Sequence, residues 1–205
     1  VENLLTVSTP AVSRSLTTIA AVQGHLGLPT ADPATVADLI RRVSAAVDVF
    51  LRRTVARETV QEIYRLAEPE PHLWLERAPV ATITSVTADG VALAADEWEA
   101  DLDAGLLYRV DGDDRITWQD RRVVVIYTGG WILPGATGSN LPADIEMACL
   151  VAIADAYLAR GRDPRLRSES ADGIGAASWL DPRPEHLGMP HQAAELLAPW
   201  RRIAL

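Results

Sequence analysis

Four histidines, one cysteine and a few acidic turns are the residues of this 205-residue chain with the means to do chemistry. Zinc would need His25, His72, His186 or His191 to meet further ligands at helical or loop spacing. None lies in an HExxH pair, and the proline-flanked His186 and His191 lack partner ligands. Cys149 is the single cysteine, which excludes an internal disulfide and a cysteine-based zinc site. Its apolar surroundings read as those of a small core residue, not a nucleophile. The run Asp101-Leu102-Asp103-Ala104-Gly105 begins like a calcium loop. However, its third ligand position is Gly105 and its twelfth is Gly112, where a glutamate is required. The glycine-rich GIGAAS at 173–178 has no strand before it and no Lys-Ser/Thr after it, so it is neither a phosphate loop nor a dinucleotide fingerprint. Asp113 and Asp114 are turn residues, and no GxSxG occurs. The expectation is no catalytic residue, no metal site and no cofactor.

The elements that would position these residues read as follows. Residues 1–16 are expected as a flexible N-terminal arm. Thr17 or Thr18 caps a short helix that Gly27 closes. Asp32 as N-cap and Pro33 at the first helical position then open a long helix. Its apolar stripe is Val36, Leu39, Ile40, Val43, Val47, Phe50 and Leu51. From Thr54 the period changes. TVQEIYRL alternates, HLWLERAPVATITSVTADGVAL holds two strand-like runs with a turn at Asp89-Gly90, and a hairpin centres on Asp103-Ala104-Gly105. RRVVVIYT is a strand rich in β-branched residues.

Leu141-Pro142 starts a second long helix that ends near Arg160 with Gly161 as cap. Its stripe is Ile145, Ala148, Cys149, Ala152, Ile153, Ala156 and Tyr157. The predicted fold class is α+β: a helical bundle built on two long antiparallel helices, an inserted small antiparallel β module, and an extended C-terminal arm. The parts are 17–53 plus 141–161 as helical core, 54–128 as β module, 129–140 as connecting loop, and 162–205 as C-terminal arm with a short helix broken by Pro199.

Composition narrows the function classes. At 48% hydrophobic residues the chain can bury a core. Ala148–Ala159, its most apolar run, falls short of the roughly 20 residues that cross a bilayer and is interrupted by Asp155. No basic segment followed by an apolar block opens the chain, so the expectation is a cytoplasmic origin and no membrane. The net charge of −9, with arginine as the only strongly basic residue, argues against a DNA-gripping surface.

Six tryptophans stand against one phenylalanine. Trp74, Trp98 and Trp118 read as core of the β module. Trp179 and Trp200 lie in segments poorly able to bury them and are candidate partner contacts.

Together the parts resemble the head–tail connector (adaptor) proteins of long-tailed bacteriophages and the related connectors of gene transfer agents. SLTTIAAVQGHLGLP is similar to the family's opening short helix, and DPATVADLIRRVSAAVDVFLRRTV to its first long helix. RAPVATITSVTADG is similar to the inserted strand pair. VVVIYTGGWILPGATGSNLPADIEMACLVAIADAYLAR is similar to the strand, Gly-aromatic turn, Leu-Pro and second long helix. RSESADGIGAASW and AAELLAPWRR are similar to the segments that follow. The likeness covers most of residues 15–202; the β insertion departs from shorter members.

The resemblance implies a structural protein forming a ring of about twelve copies, joining the portal to a stopper or tail-side protein, with DNA only as transiting cargo. It implies assembly in the cytoplasm and residence at the head–tail junction of the particle. Arg165, Arg167, Trp179, Leu196, Leu197, Trp200, Arg201 and Arg202 are the expected portal or neighbour interface. Gly129, Gly130 and Trp131 are the expected hinge. The readings left open are a small enzyme and a ligand-binding module with a site on the β module, the latter marked by exposed aromatics there.

Overall fold

The structure is a computed structural model that describes residues 2–160, 168–171, 175–178 and 188–202. The chain divides into two compact units, one of residues 1–13 and 54–132, the other of 14–53 and 133–205.

The first unit is built of antiparallel strands. Its larger sheet has five, in the order β1 (Glu2–Thr9), β2 (Glu58–Arg65), β9 (Arg122–Gly129), β4 (Val80–Ala88), β5 (Val91–Ala92). The smaller joins β3 (Leu73–Trp74), β7 (Leu106–Asp111) and β6 (Trp98–Asp101), with β8 (Asp114–Ile116) also on β7. β2 and β9 pair along their whole lengths, from Glu58↔Gly129 to Arg65↔Arg122. Both sheets feed one core that includes Val60, Val125, Leu107 and Trp118. Trp118 is fully buried, and its indole N–H donates to the Leu107 carbonyl at 3.2 Å, so no polar atom is stranded there.

Turn chemistry places the hairpins. Asp89 (φ 45°) and Gly90 (φ 88°) form the β4–β5 turn. At Asp101–Gly105 the carboxylate Oδ1 accepts the Ala104 N–H at 2.9 Å, so this acidic run is a hairpin turn holding its own backbone. Residues 1–16 are not a loose arm throughout. β1 pairs with β2 from Glu2↔Arg65 to Thr9↔Thr59, with Leu5 and Val7 packed on the core.

The second unit holds α1 (Ile19–Leu26), α2 (Pro33–Leu51), α3 (Ala143–Leu158) and α4 (His191–Leu197). The caps are local. Thr18 accepts from Ala21 N, Gly27 closes α1 at φ 64°, and Asp32 Oδ2 accepts from Thr35 N at 2.9 Å. Pro142 is the N-cap of α3, and the helix stops at Leu158 with Ala159 as cap; Gly161 lies outside the described residues.

The fold class differs from the expected one. The described residues are mixed α/β with strands in the majority, and among them no bundle built on two long antiparallel helices is present. The reason lies around α3, which is apolar well beyond its buried stripe. One neighbour cannot cover such a helix, and α1, α2 and α4 all pack on it. Its buried residues are Ile145, Ala148, Cys149, Ala152 and Ile153. On α2 the buried face is Val36, Ile40, Ser44, Val47, Phe50 and Leu51, with Leu39 and Val43 only half-buried.

The expected extended arm is also interrupted. β10 (Ser168–Ala171) and β11 (Gly175–Ser178) pair as a two-stranded hairpin, and α4 docks on α3 through Ala193, Ala194 and Leu197. Among the described residues no helix is long and apolar enough to cross a membrane.

Candidate functional site

Alternation along β2 turns Glu58, Val60, Glu62 and Tyr64 to the buried side. Two carboxylates thus enter the interior, where an ionised group is costly unless paired or neutralised. Glu58 meets Arg77, whose Nε lies 3.4 Å from Oε2, both side chains being largely buried.

Glu62 has different company. Its Oε1 accepts the Tyr127 hydroxyl at 2.6 Å and the Glu76 amide at 2.8 Å. Its Oε2 is hydrogen-bonded to Tyr64 Oη, which also lies 2.6 Å from the Trp74 carbonyl oxygen. Tyr127 Oη in turn accepts the Arg77 amide at 2.9 Å. Burial pushes the Glu62 carboxyl above its ordinary range despite these hydrogen bonds. Burial, and then the adjoining Glu62, push the Tyr64 and Tyr127 phenols up as well. The cluster ties the segment Trp74–Arg77 to the two central strands.

That same segment bears on the joint after β9. The Gly130 amide donates to the Pro79 carbonyl at 2.8 Å, and Gly130 adopts φ 96°, a conformation that favours glycine. Trp131 bridges Ala56, donating to the Val55 carbonyl at 3.0 Å while its own carbonyl accepts the Arg57 amide at 2.9 Å. Arg57 Nε adds a bond to the Gly130 carbonyl at 3.1 Å. Trp131 is buried. Gly129, Gly130 and Trp131 are therefore a clamped corner in this conformation, where the sequence suggested a hinge.

Of the expected interface residues, Arg165, Arg167 and Trp179 lie outside the described residues. Leu197 is fully buried within its own unit, a correction to its expected place on an outer surface. Leu196, Trp200, Arg201 and Arg202 are half-buried. The Arg202 amide donates to the Leu51 carbonyl at 3.1 Å, and the Arg201 guanidinium lies 5.2 Å from the centroid of the Phe50 ring. The end of α4 and the turn Ala198–Trp200 are thus docked on the helical unit through one face.

Among the described residues, the other chemistry-capable side chains do not converge. Cys149 is buried, with Ser44 Oγ 3.9 Å from its sulfur, and burial pushes its thiol up to about 12. His25 lies in the last turn of α1, His191 begins α4, and His186 lies outside the described residues. His72 packs 5.4 Å from the Trp74 ring and 5.9 Å from Tyr108. Trp74, expected in the core, is 43% exposed. Among the described residues no group of three or more His, Cys, Asp or Glu side chains could hold a metal ion.

Sequence reading missed the Glu62 cluster. Its one available signal was the period-two placement of Glu58 and Glu62 with Val60 and Tyr64.

No protein-family model matches the chain, and no curated protein does. Solved structures do. A chain in the neck of a native GTA particle computed with C12 symmetry is 19% identical, with a TM-score of 0.58, covering 98% of this chain and 97% of that one. A chain in the neck of an empty GTA particle computed with C6 symmetry is 21% identical, with a TM-score of 0.59 and the same coverage. A chain from the virion of a native gene transfer agent (GTA) particle is 20% identical, with a TM-score of 0.58. The likeness spans residues of both units and is a likeness of fold.

Proposed function

We propose that this chain is a structural component of the neck of a gene transfer agent or tailed-phage particle, namely the head–tail connector. Copies form a ring beneath the portal, hold a stopper or tail-side protein below, and surround the path of the DNA. The observation that carries this reading is the match of fold to neck chains over 98% of this chain. The ring of about twelve rests on the C12 symmetry of one of those necks.

Two features suit such a part. A net charge of −9 keeps transiting phosphates from sticking, whereas a basic lining would bind them. The clamped corner at Gly129–Trp131 holds its backbone rigidly, as a load-transmitting component requires. The portal-facing surface is the chain's final stretch: Leu196, Trp200, Arg201 and Arg202, together with Arg165, Arg167 and Trp179. Aromatic anchors with flanking arginines suit a hot spot.

The test is to co-express the chain with the portal protein of the same particle and image the product by electron microscopy. A ring seated on the portal ring is expected, and loss of that complex on Trp200→Ala plus Arg201→Glu, with folding intact, places the contact. A wild-type chain that never joins the portal overturns the reading.

A second reading, a ligand-binding β module, draws on the exposed Trp74 with His72 and Tyr108 beside it. Particle assembly unaffected by deletion of the chain would favour it.

A further inference from the structure

Five hydrogen-bond contacts join Glu62, Tyr64 and Tyr127 to one another and to the backbone of Trp74, Glu76 and Arg77. Each needs one hydrogen. The Glu76 and Arg77 amides supply two, and the two phenols supply two more. The shortfall falls on Tyr64. Its single O–H faces two acceptors, the Trp74 carbonyl at 2.6 Å and Glu62 Oε2. A carbonyl can only accept. Were the tyrosine proton given to an ionised Glu62, the Tyr64 and Trp74 oxygens would stand 2.6 Å apart with no hydrogen between them. Every contact is satisfied once the carboxyl brings a hydrogen of its own.

We propose that Glu62 carries a proton in the folded protein, donated from Oε2 to Tyr64, and that losing this proton unlatches the segment Trp74–Arg77 from β2 and β9. The groups facing Glu62 support this. From its own strand comes Tyr64, from β9 Tyr127, and from the latched segment Glu76, whose negative charge opposes a second one at Glu62. Arg77, the cation on that segment, has its guanidinium turned to Glu58. Burial favours the neutral carboxyl in the same direction. The latched segment leads into Pro79, whose carbonyl holds the Gly130 amide, so release reaches the corner after β9. The device makes the β unit sensitive to rising pH.

The sign follows from linkage. In the unfolded chain Glu62 ionises near the ordinary value of about 4.3. In the folded chain it keeps its proton to higher pH. Its contribution to stability is therefore complete below the unfolded value and is lost as pH rises through the folded one.

The experiment compares denaturant unfolding of the full wild-type chain and Glu62→Gln from about pH 5 to about pH 9. Glutamine keeps the carbonyl acceptor and replaces the O–H donor with N–H. The folding constant of the wild type, relative to the variant, should fall about tenfold per pH unit over the window in which only the folded state holds the proton. Groups common to both proteins cancel. Infrared spectroscopy of the wild type at neutral pH should also show a protonated-carboxyl band that disappears on unfolding. This measurement decides the matter if Glu62→Gln does not fold. Parallel stability curves, or a folded wild type without the band, overturn the proposal.

Discussion

Gly129 lies so close beneath the backbone of Arg77 that a Cβ built on it would stand 1.8 Å from the Arg77 carbonyl oxygen. Gly129 sits between Glu58 on β2 and Val80 on β4, so neither flank can give way without opening the central sheet. Close packing leaves no room for even one methyl group there.

Gly129→Ala should therefore destabilise the protein by roughly 3 kcal/mol, the upper end of overpacking costs. Gly27→Ala is the control. It carries the strain of a positive φ, 64°, which Gly129 does not have, and nothing lies within 4 Å of the added carbon. Its cost should be nearer 1 kcal/mol. Chemical denaturation of both variants checks the ranking, and equal losses would show that the Arg77 contact is not what demands glycine.

The helical unit should be far more sensitive at Ile153 than at Leu39. Ile153 is fully buried against its neighbours, whereas Leu39 is half-buried. Ile153→Asp should cost about 4 kcal/mol or more, because an unpaired carboxylate has no partner there. Leu39→Asp should lose much less, since its carboxylate reaches water. Circular dichroism melts separate the two; a Leu39 variant melting as early as the Ile153 one would contradict the burial pattern.

Cys149 should resist alkylation in the folded protein at mildly alkaline pH and react once the chain is unfolded. Its thiol is pushed up to about 12 by burial, so the thiolate is scarce. An ordinary thiol ionises near about 8.5. Keeping Cys149 neutral thus adds stability that is complete below that value and is lost as pH rises toward about 12. Iodoacetamide labelling followed by mass spectrometry reads the outcome. Rapid labelling of the native chain would show that the α3 surface around Cys149 opens readily.

The local punctuation was legible in the residues. Asp32-Pro33, Thr18 with Gly27, and Asp89-Gly90 settle their caps and turns through atoms a few positions away, so neighbouring residues contain the whole cause. The strand over Arg122–Gly129 and the buried faces of α2 and α3 were legible in the same way, from period and branching. β1 was not. Its eight residues become a strand only because β2, some fifty positions onward, offers an edge with matching register.

The candidate site divides along the same line. Gly129-Gly130-Trp131 announced a special backbone, and φ 96° at Gly130 is one. That the corner is clamped follows from Pro79, Ala56 and Val55, which no local pattern brings near. Leu197 and Trp200 read alike as exposed anchors, yet the first is completely buried in the structure and the second half-buried. In TVQEIY, alternation offers two faces and does not say which is inside. Pairing with β9, and the approach of Trp74–Arg77, turned Glu62 inward and surrounded it with hydroxyls and amides in place of a cation. Composition and spacing determine what one short segment can do by itself. Which carboxylate is taken out of water, and what it meets there, is decided only when distant strands close on it, because desolvation and hydrogen-bond completion are properties of the assembled interior.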